Sequence, residues 1–268
     1  MDDREFKPSS IPQERDQAVV LAVTSGKGGV GKTVLSANLA AALASHGQRV
    51  LVLDADLGLA NLDVLLNLYS RVTLHDVFTG RASIDEAIVA APGGFHAVLA
   101  GSGMVEYSRL TTEVRERFHQ ILQSLLPAYD LIILDTGAGI SDVVLYSIGL
   151  ADEVLVVATP EPTSLTDAYA TIKVLAGQQN RQNFLMAVNQ TGKAGDGAMV
   201  VAQLQRVLDR FVNGAGTSVK LFLAGEVPFD LSVRESVARR QLLGATSAGA
   251  AARGVEGISI RLLELLRA

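Results

Sequence analysis

Val19-Val20-Leu21-Ala22-Val23-Thr24-Ser25-Gly26-Lys27-Gly28-Gly29-Val30-Gly31-Lys32-Thr33 is the stretch that decides the fold. Residues 19–23 are aliphatic without polar alternation, as in a strand buried on both faces. Gly26 to Thr33 then matches G-x-x-x-x-G-K-[ST], a loop whose backbone N–H groups surround phosphate oxygens. Glycines at Gly26, Gly28, Gly29 and Gly31 keep Cβ atoms out of the way, and Val30 is the one bulky residue among them. Lys32 is placed to neutralise the β- and γ-phosphates, and the Thr33 hydroxyl to ligate Mg²⁺. The helix that must follow aims its positive end at the same charge. A strand, this loop and a helix in that order is the context the motif demands, which sets it apart from an ordinary glycine-rich turn.

Working outward, strand-length apolar runs recur at Val50–Leu53, Phe95–Leu99, Leu131–Leu134, Val154–Ala158, Phe184–Val188 and Lys220–Leu223. Stretches of helical spacing separate most of them, at Val34–Ala44, Val114–Leu126, Leu165–Leu175 and Met199–Phe211. The alternation predicts an α/β fold with a single doubly wound, mainly parallel sheet covered by helices on both faces. No repeat or linker interrupts it, so one domain is expected over residues 18–257. Residues 1–17 are polar with Pro8 and Pro12 and read as a flexible tail. Residues 258–268 place Ile258, Leu262, Leu265 and Leu266 on one face of a short amphipathic helix, which fits either a membrane-surface segment or a helix packed on the sheet.

Composition narrows the function classes. Zero cysteines exclude disulfides, thiolate metal sites and cysteine nucleophiles, and suit a reducing cytosol. The charged N-terminus reads against a secretory signal. The apolar stretch from Ala87 to Val105 is broken by Pro92, Gly93 and Gly94, so it does not read as a membrane span. A net charge of −5 argues against electrostatic coating of DNA, although Lys193, Arg206, Arg210, Arg239 and Arg240 could supply a local patch. Mean hydropathy is +0.30, high enough to require extensive burial.

Carboxylates stand where an open α/β sheet presents ligand residues, at the ends of strands. Asp54 and Asp56 end the second run and point the same way from an extended segment, with Asn61 and Asp63 further along the loop. Asp135 ends the fourth run and is followed by Thr136-Gly137-Ala138-Gly139. Asn189 ends another strand and suits the exocyclic amine and ring nitrogen of adenine.

Lys27 makes the loop distinctive. The form K-G-G-x-G-K-T resembles the deviant phosphate loop of the MinD/ParA ATPases, in which a second lysine precedes the usual one. The resemblance implies ATP and Mg²⁺ as ligands and a homodimer formed on ATP binding, with Lys27 reaching the partner's nucleotide. It further implies that Asp56 holds the attacking water, while Asp54 and Asp135 lie near Mg²⁺ through water. Lys27, Lys32 and Asp56 are thus the implied catalytic set. The later turn Val227-Pro228-Phe229-Asp230 resembles the segment that closes over adenine in the MinD/ParA ATPases, which implies Pro228 and Asp230 at the base site, with ordinary turn chemistry as the alternative. The stretches Asp56–Asp63, Leu74–Val77 and Thr159–Tyr169 are similar to the MinD-like flagellar-number regulators, with a ParA-type DNA-partitioning ATPase or division-site MinD as alternatives. Such regulators imply a flagellar signal-recognition-type GTPase and a flagellar master transcription activator as partners. They also imply a cytoplasmic location that is peripheral on the inner membrane face. Two departures from the family are visible. Asp16-Gln17-Ala18 lacks the arginine of the GTPase-activating helix, and Gln190 stands where Arg or Lys usually follows the asparagine.

Overall fold

The computed structural model describes residues 17–56, 61–101, 111–214, 218–243 and 249–267. Nearly all of the tail expected over residues 1–17, together with Leu57–Ala60 of the loop after Asp56, lies outside them.

In chain order the elements are β1 (Val19–Ser25), α1 (Lys32–Ser45), β2 (Val50–Ala55), α2 (Leu62–Leu66), α3 (Leu74–Phe78), α4 (Ile84–Ala87), β3 (Ile88–Ala90), β4 (His96–Val98), α5 (Thr112–Leu125), β5 (Leu131–Ala138), α6 (Asp142–Gly149), β6 (Glu153–Ala158), α7 (Pro162–Gln179), β7 (Asn183–Thr191), α8 (Asp196–Phe211), β8 (Lys220–Pro228), α9 (Leu231–Arg239) and α10 (Ala250–Arg267). The strands form one sheet in the order β3-β4-β2-β5-β1-β6-β7-β8. Every pairing is parallel except β3 with β4. This is the doubly wound α/β architecture expected from the alternating runs. The antiparallel edge strand β3 was not expected, because Ile88-Val89-Ala90 is too short to show a period and follows directly on helical spacing.

Successive residues of β1 face opposite cores. Val20 and Ala22 pack with α5, α6, α7 and α8, whereas Val19, Leu21 and Val23 pack with α1, α2 and α10. Burial on both faces is why the strands read as continuous apolar runs, and it absorbs the high hydropathy. The α1 helix is hydrophobic nearly all round, because it packs on the sheet and α10, itself packed on β8, packs against it as well. α10 starts at Ala250, so the apolar stripe seen from Ile258 onward is the second half of a longer helix. Ile258, Leu262, Leu263 and Leu265 are buried in the core shared with α1 and β8. Among the described residues no helix is long and apolar enough to cross a membrane.

β1 lies at the centre, between β5 and β6, where the order of connection reverses. Ligands of open α/β sheets bind at that reversal, beyond the carboxyl ends of the strands. Register brings Val23 of β1 and Asp54 of β2 level with Asp135 of β5, so three strand ends converge under the glycine loop.

Candidate nucleotide site

The start of α1 is built to receive an anion. Gly31 at its N-cap has φ 95°, so the chain enters the helix in a left-handed conformation and no side chain caps the first turn. No acidic residue occupies that turn either. The N–H groups there are left to an external acceptor, and the helix dipole favours a negative one. Gly28 and Gly29 have nothing near where a Cβ would stand, so their backbone faces open space. A Cβ on Gly26 would lie 2.2 Å from the backbone of Asp167 in α7, so that glycine serves close packing of the loop on α7. Ser25 fastens the same turn, its hydroxyl donating to the Lys27 carbonyl at 2.7 Å.

A cavity of about 570 Å³ opens above the loop, lined by Gly28, Gly29, Gly31, Lys32, Thr33, Asp56, Asn61 and the start of α6, among others. Behind it lie the carboxylates of the central strands. Asp135 is buried and accepts hydrogen bonds from the hydroxyls of Ser36, at 2.9 Å, and Thr33. Burial pushes its pKa up to about 6, against the pull of those bonds and of Lys32. Asp54 is raised well above the ordinary carboxylate range, first by burial and then by Asp135 beside it. Its Oδ1 accepts the Asp56 N–H at 3.2 Å, and its Oδ2 is buried without a hydrogen-bond partner. An unsatisfied buried carboxylate oxygen beside a second buried carboxylate suits a water-coordinated divalent cation, which would relieve both. Lys32 is lowered by burial while Asp135 and Asp56 hold it up, so this lysine is committed to the cavity. Gly137 leaves room for Asp56, since a Cβ there would stand 3.3 Å from Asp56 Oδ1.

Lys27 is placed differently. Its ammonium lies outside this cavity and donates to Glu161 Oε2 and Thr163 Oγ1, both at 3.1 Å, at the start of α7. Lysine and glutamate are 40% and 62% exposed, so the pair is weak and readily broken.

A second cavity of about 210 Å³ adjoins the first at Gly31 and Val34. Asn189, Pro228 and Asp230 all line it. Asn189 is more than a lining residue. Its Nδ2 donates to the Val30 carbonyl at 2.8 Å and its Oδ1 accepts the Gln190 N–H at 2.9 Å, so the amide is a strut between β7 and the phosphate loop. One further N–H and one lone pair stay available to a base. A Cβ on Gly31 would meet this amide at 2.4 Å. Asp230 accepts from Ser232 N at 2.9 Å and Ala251 N at 3.1 Å, tying the first turns of α9 and α10 to the cavity wall. Ser36, which holds Asp135, carried only a faint signal, as one of two polar residues with Asn38 in the Val34–Leu39 stretch. Phe229, Arg234, Leu243 and Val255 carried none, because only the fold brings them to this second cavity.

A glycine loop running into an uncapped helix, with buried carboxylates on the flanking strand ends, defines the class as a phosphate-loop nucleoside triphosphatase. A family model described as an AAA domain matches residues 18–187. The antiactivator FleN of Pseudomonas aeruginosa is 42% identical over 83% of this chain and 78% of its own length. The flagellum site-determining protein YlxH of Helicobacter pylori is 31% identical over 88% of this chain and 78% of its own. Among solved structures, the MinC:MinD cell division complex of Aquifex aeolicus superposes with a TM-score of 0.74 and 27% identity, covering 92% of this chain and 96% of that one. The chain belongs to the MinD/ParA-type ATPases and groups with their flagellar-number regulators. Its activity is hydrolysis of ATP, with Mg²⁺ as the cofactor.

Proposed function

We propose that this ATPase is a switch that dimerises when ATP is bound, resets on hydrolysis and thereby sets the number and placement of flagella. The observation that carries the reading is the contrast between its two loop lysines. Lys32 is half-buried in its own phosphate cavity, whereas Lys27 lies outside it on an exposed, weakly held pair. A lysine kept within the motif yet turned away from its own phosphates is suited to act on a partner's.

The residues then divide the work as follows. Backbone N–H groups from Gly28 to Thr33 bind the phosphate oxygens, and Lys32 offsets their charge. Thr33, with Asp54 and Asp135 through water, would hold Mg²⁺, whose part when bound is to neutralise charge on the β- and γ-phosphates. Asp56 orients a water whose oxygen attacks the γ-phosphorus as the bond to the ADP oxygen breaks. Lys27 leaves Glu161 and Thr163 to stabilise the charge developing in the partner subunit's site. Asn189, Pro228 and Asp230 contribute to the base cavity.

The name of one relative, an antiactivator, supports an activator as one partner, and the resemblance to the flagellar-number regulators implies a flagellar signal-recognition-type GTPase as another. Attachment to the inner membrane face through α10 would require its buried stripe, Ile258 and Leu262 included, to leave β8 and α1. The test is made in the source cell. Replacing the gene by its Lys27→Ala form should give the flagellar count of a deletion strain, scored by electron microscopy. A wild-type count would sink the reading.

A further inference from the structure

A hydroxyl buried inside a helix commonly returns to its own backbone. Ser147, Thr171, Ser236 and Ser259 do so here, each donating to a carbonyl three or four residues back at 2.8 to 3.0 Å. Ser36 does not. It lies in α1 with no exposed surface, and its hydroxyl crosses to the sheet to donate to Asp135 Oδ1 at 2.9 Å. The acceptor stands on β5, 99 positions along the chain. Thr33, three residues earlier and so on the same face of α1, donates to the same carboxylate. The two hydroxyls differ in reach. Thr33 lines the phosphate cavity and Ser36 does not. Ser36 therefore touches neither a nucleotide nor an ion, and any part it has in the reaction passes through Asp135.

A carboxylate has need of such a partner. Its last torsion is broad and roughly two-fold, so packing alone lets the two oxygens turn. A hydrogen bond from a fixed donor removes that freedom. The donor here belongs to the helix that the phosphate loop runs into, so the loop and the carboxylate are set in one frame. Groups that hold the ligands of a metal in this way govern its affinity, and their loss costs roughly 10–100-fold in metal binding. We propose that Ser36 is a positioning residue for Mg²⁺, turning Asp135 so that its water-bridged contact with the ion can form. This inference rests on the Mg²⁺ site of the proposed mechanism. It separates two functions within α1, since Thr33 would meet the ion itself and Ser36 would only orient the carboxylate behind it. Alanine at this position removes the hydroxyl and favours the helix, so the bond can be deleted without disturbing α1.

The test is Mn²⁺ binding to the ADP-loaded full chain, read from the free-ion signal in electron paramagnetic resonance. Ser36→Ala is expected to weaken Mn²⁺ by about tenfold. Its affinity for ADP in EDTA, measured by calorimetry, should equal that of the wild type. A purely structural serine would not split the two readouts in this way. Asp135→Ala should weaken Mn²⁺ as well, and adding Ser36→Ala to it should cost nothing more, because the group through which Ser36 acts is gone. Thermal melting shows that each variant is folded before its affinities are compared. Unchanged Mn²⁺ affinity in Ser36→Ala overturns the assignment. So does a tenfold loss that persists in the Asp135→Ala background, which would give Ser36 a route of its own. A loss of ADP affinity in EDTA as large as the loss of Mn²⁺ affinity overturns it too, since the loop itself would have shifted. A wild-type chain whose bound ADP holds Mn²⁺ no better than free ADP does would instead overturn the Mg²⁺ site, a different failure.

Discussion

The phosphate half of the site is held by the centre of the sheet, and the base half by its outer edge. Beneath the phosphate cavity, Asp54 and Asp135 sit side by side on β2 and β5, fixed by register and buried almost completely. The groups around the base come from the ends of β7 and β8, from α9, and from Leu243 and Val255, with Phe229 exposed. A buried carboxylate pair cannot move without exposing the core, so the phosphate half is set before any ligand arrives. The base half depends on a few cross-links, above all the Asn189 strut to Val30 and the Asp230 bonds to α9 and α10. Chemistry that tolerates no misplacement is on the rigid side, and adjustable affinity is on the other.

That contrast can be attacked where it predicts the largest effect. Asp56→Ala removes the water-orienting carboxylate, so ATP turnover should fall by roughly 10²–10³-fold while ATP still binds, the loss typical of one transition-state contact. Coupled-enzyme rates and calorimetry on the same sample check both halves of that statement. Lys32→Ala removes a half-buried cation that Asp135 and Asp56 attract, and ATP affinity should drop by about 10²-fold. Equal affinities in wild type and variant would show that the phosphates are bound elsewhere.

Smaller effects are expected at the junction of the two halves. Gly31→Ala places a Cβ at φ 95° against the Asn189 amide, at 2.4 Å, so it should weaken folding by about 2 kcal/mol and loosen the loop. Urea denaturation measures the first and ATP affinity the second. The smallest prediction has the opposite sign. Gln190 stands at φ 59° in a conformation that suits glycine, so Gln190→Gly should stabilise the protein by about 0.5 kcal/mol. A lower melting temperature would mean that its side chain has a role at the cavity mouth.

Legibility in the sequence follows the same division. Gly26 to Thr33, Asp54, Asp56 and Asp135 could be read because each lies in a short segment whose local spacing carries the chemistry. The parallel sheet could be read because strands buried on both faces leave unbroken apolar runs. Gly26 carries a further constraint that its local spacing does not show, because a Cβ there would meet the backbone of Asp167, 141 positions away by the difference of the two numbers. Asn189 could be placed but its strut could not, since nothing in Val188-Asn189-Gln190 points to the carbonyl of Val30. The extent of α10 was hidden because Ala250–Gly257 is rich in alanine and glycine and shows little periodicity until Ile258. Arg234 and Phe229 belong to a surface helix and a turn, and only the folded chain puts them on the wall of the second cavity.

The account stands on Lys27 leaving its own chain to serve another, and solution mass measures this directly. Light scattering on the size-exclusion peak should give twice 28.2 kDa for the wild type in ATP with Mg²⁺ and 28.2 kDa in ADP. Lys27→Ala should stay at 28.2 kDa in both nucleotides while still binding ATP. A Lys27→Ala protein that doubles its mass in ATP as the wild type does would contradict the central claim.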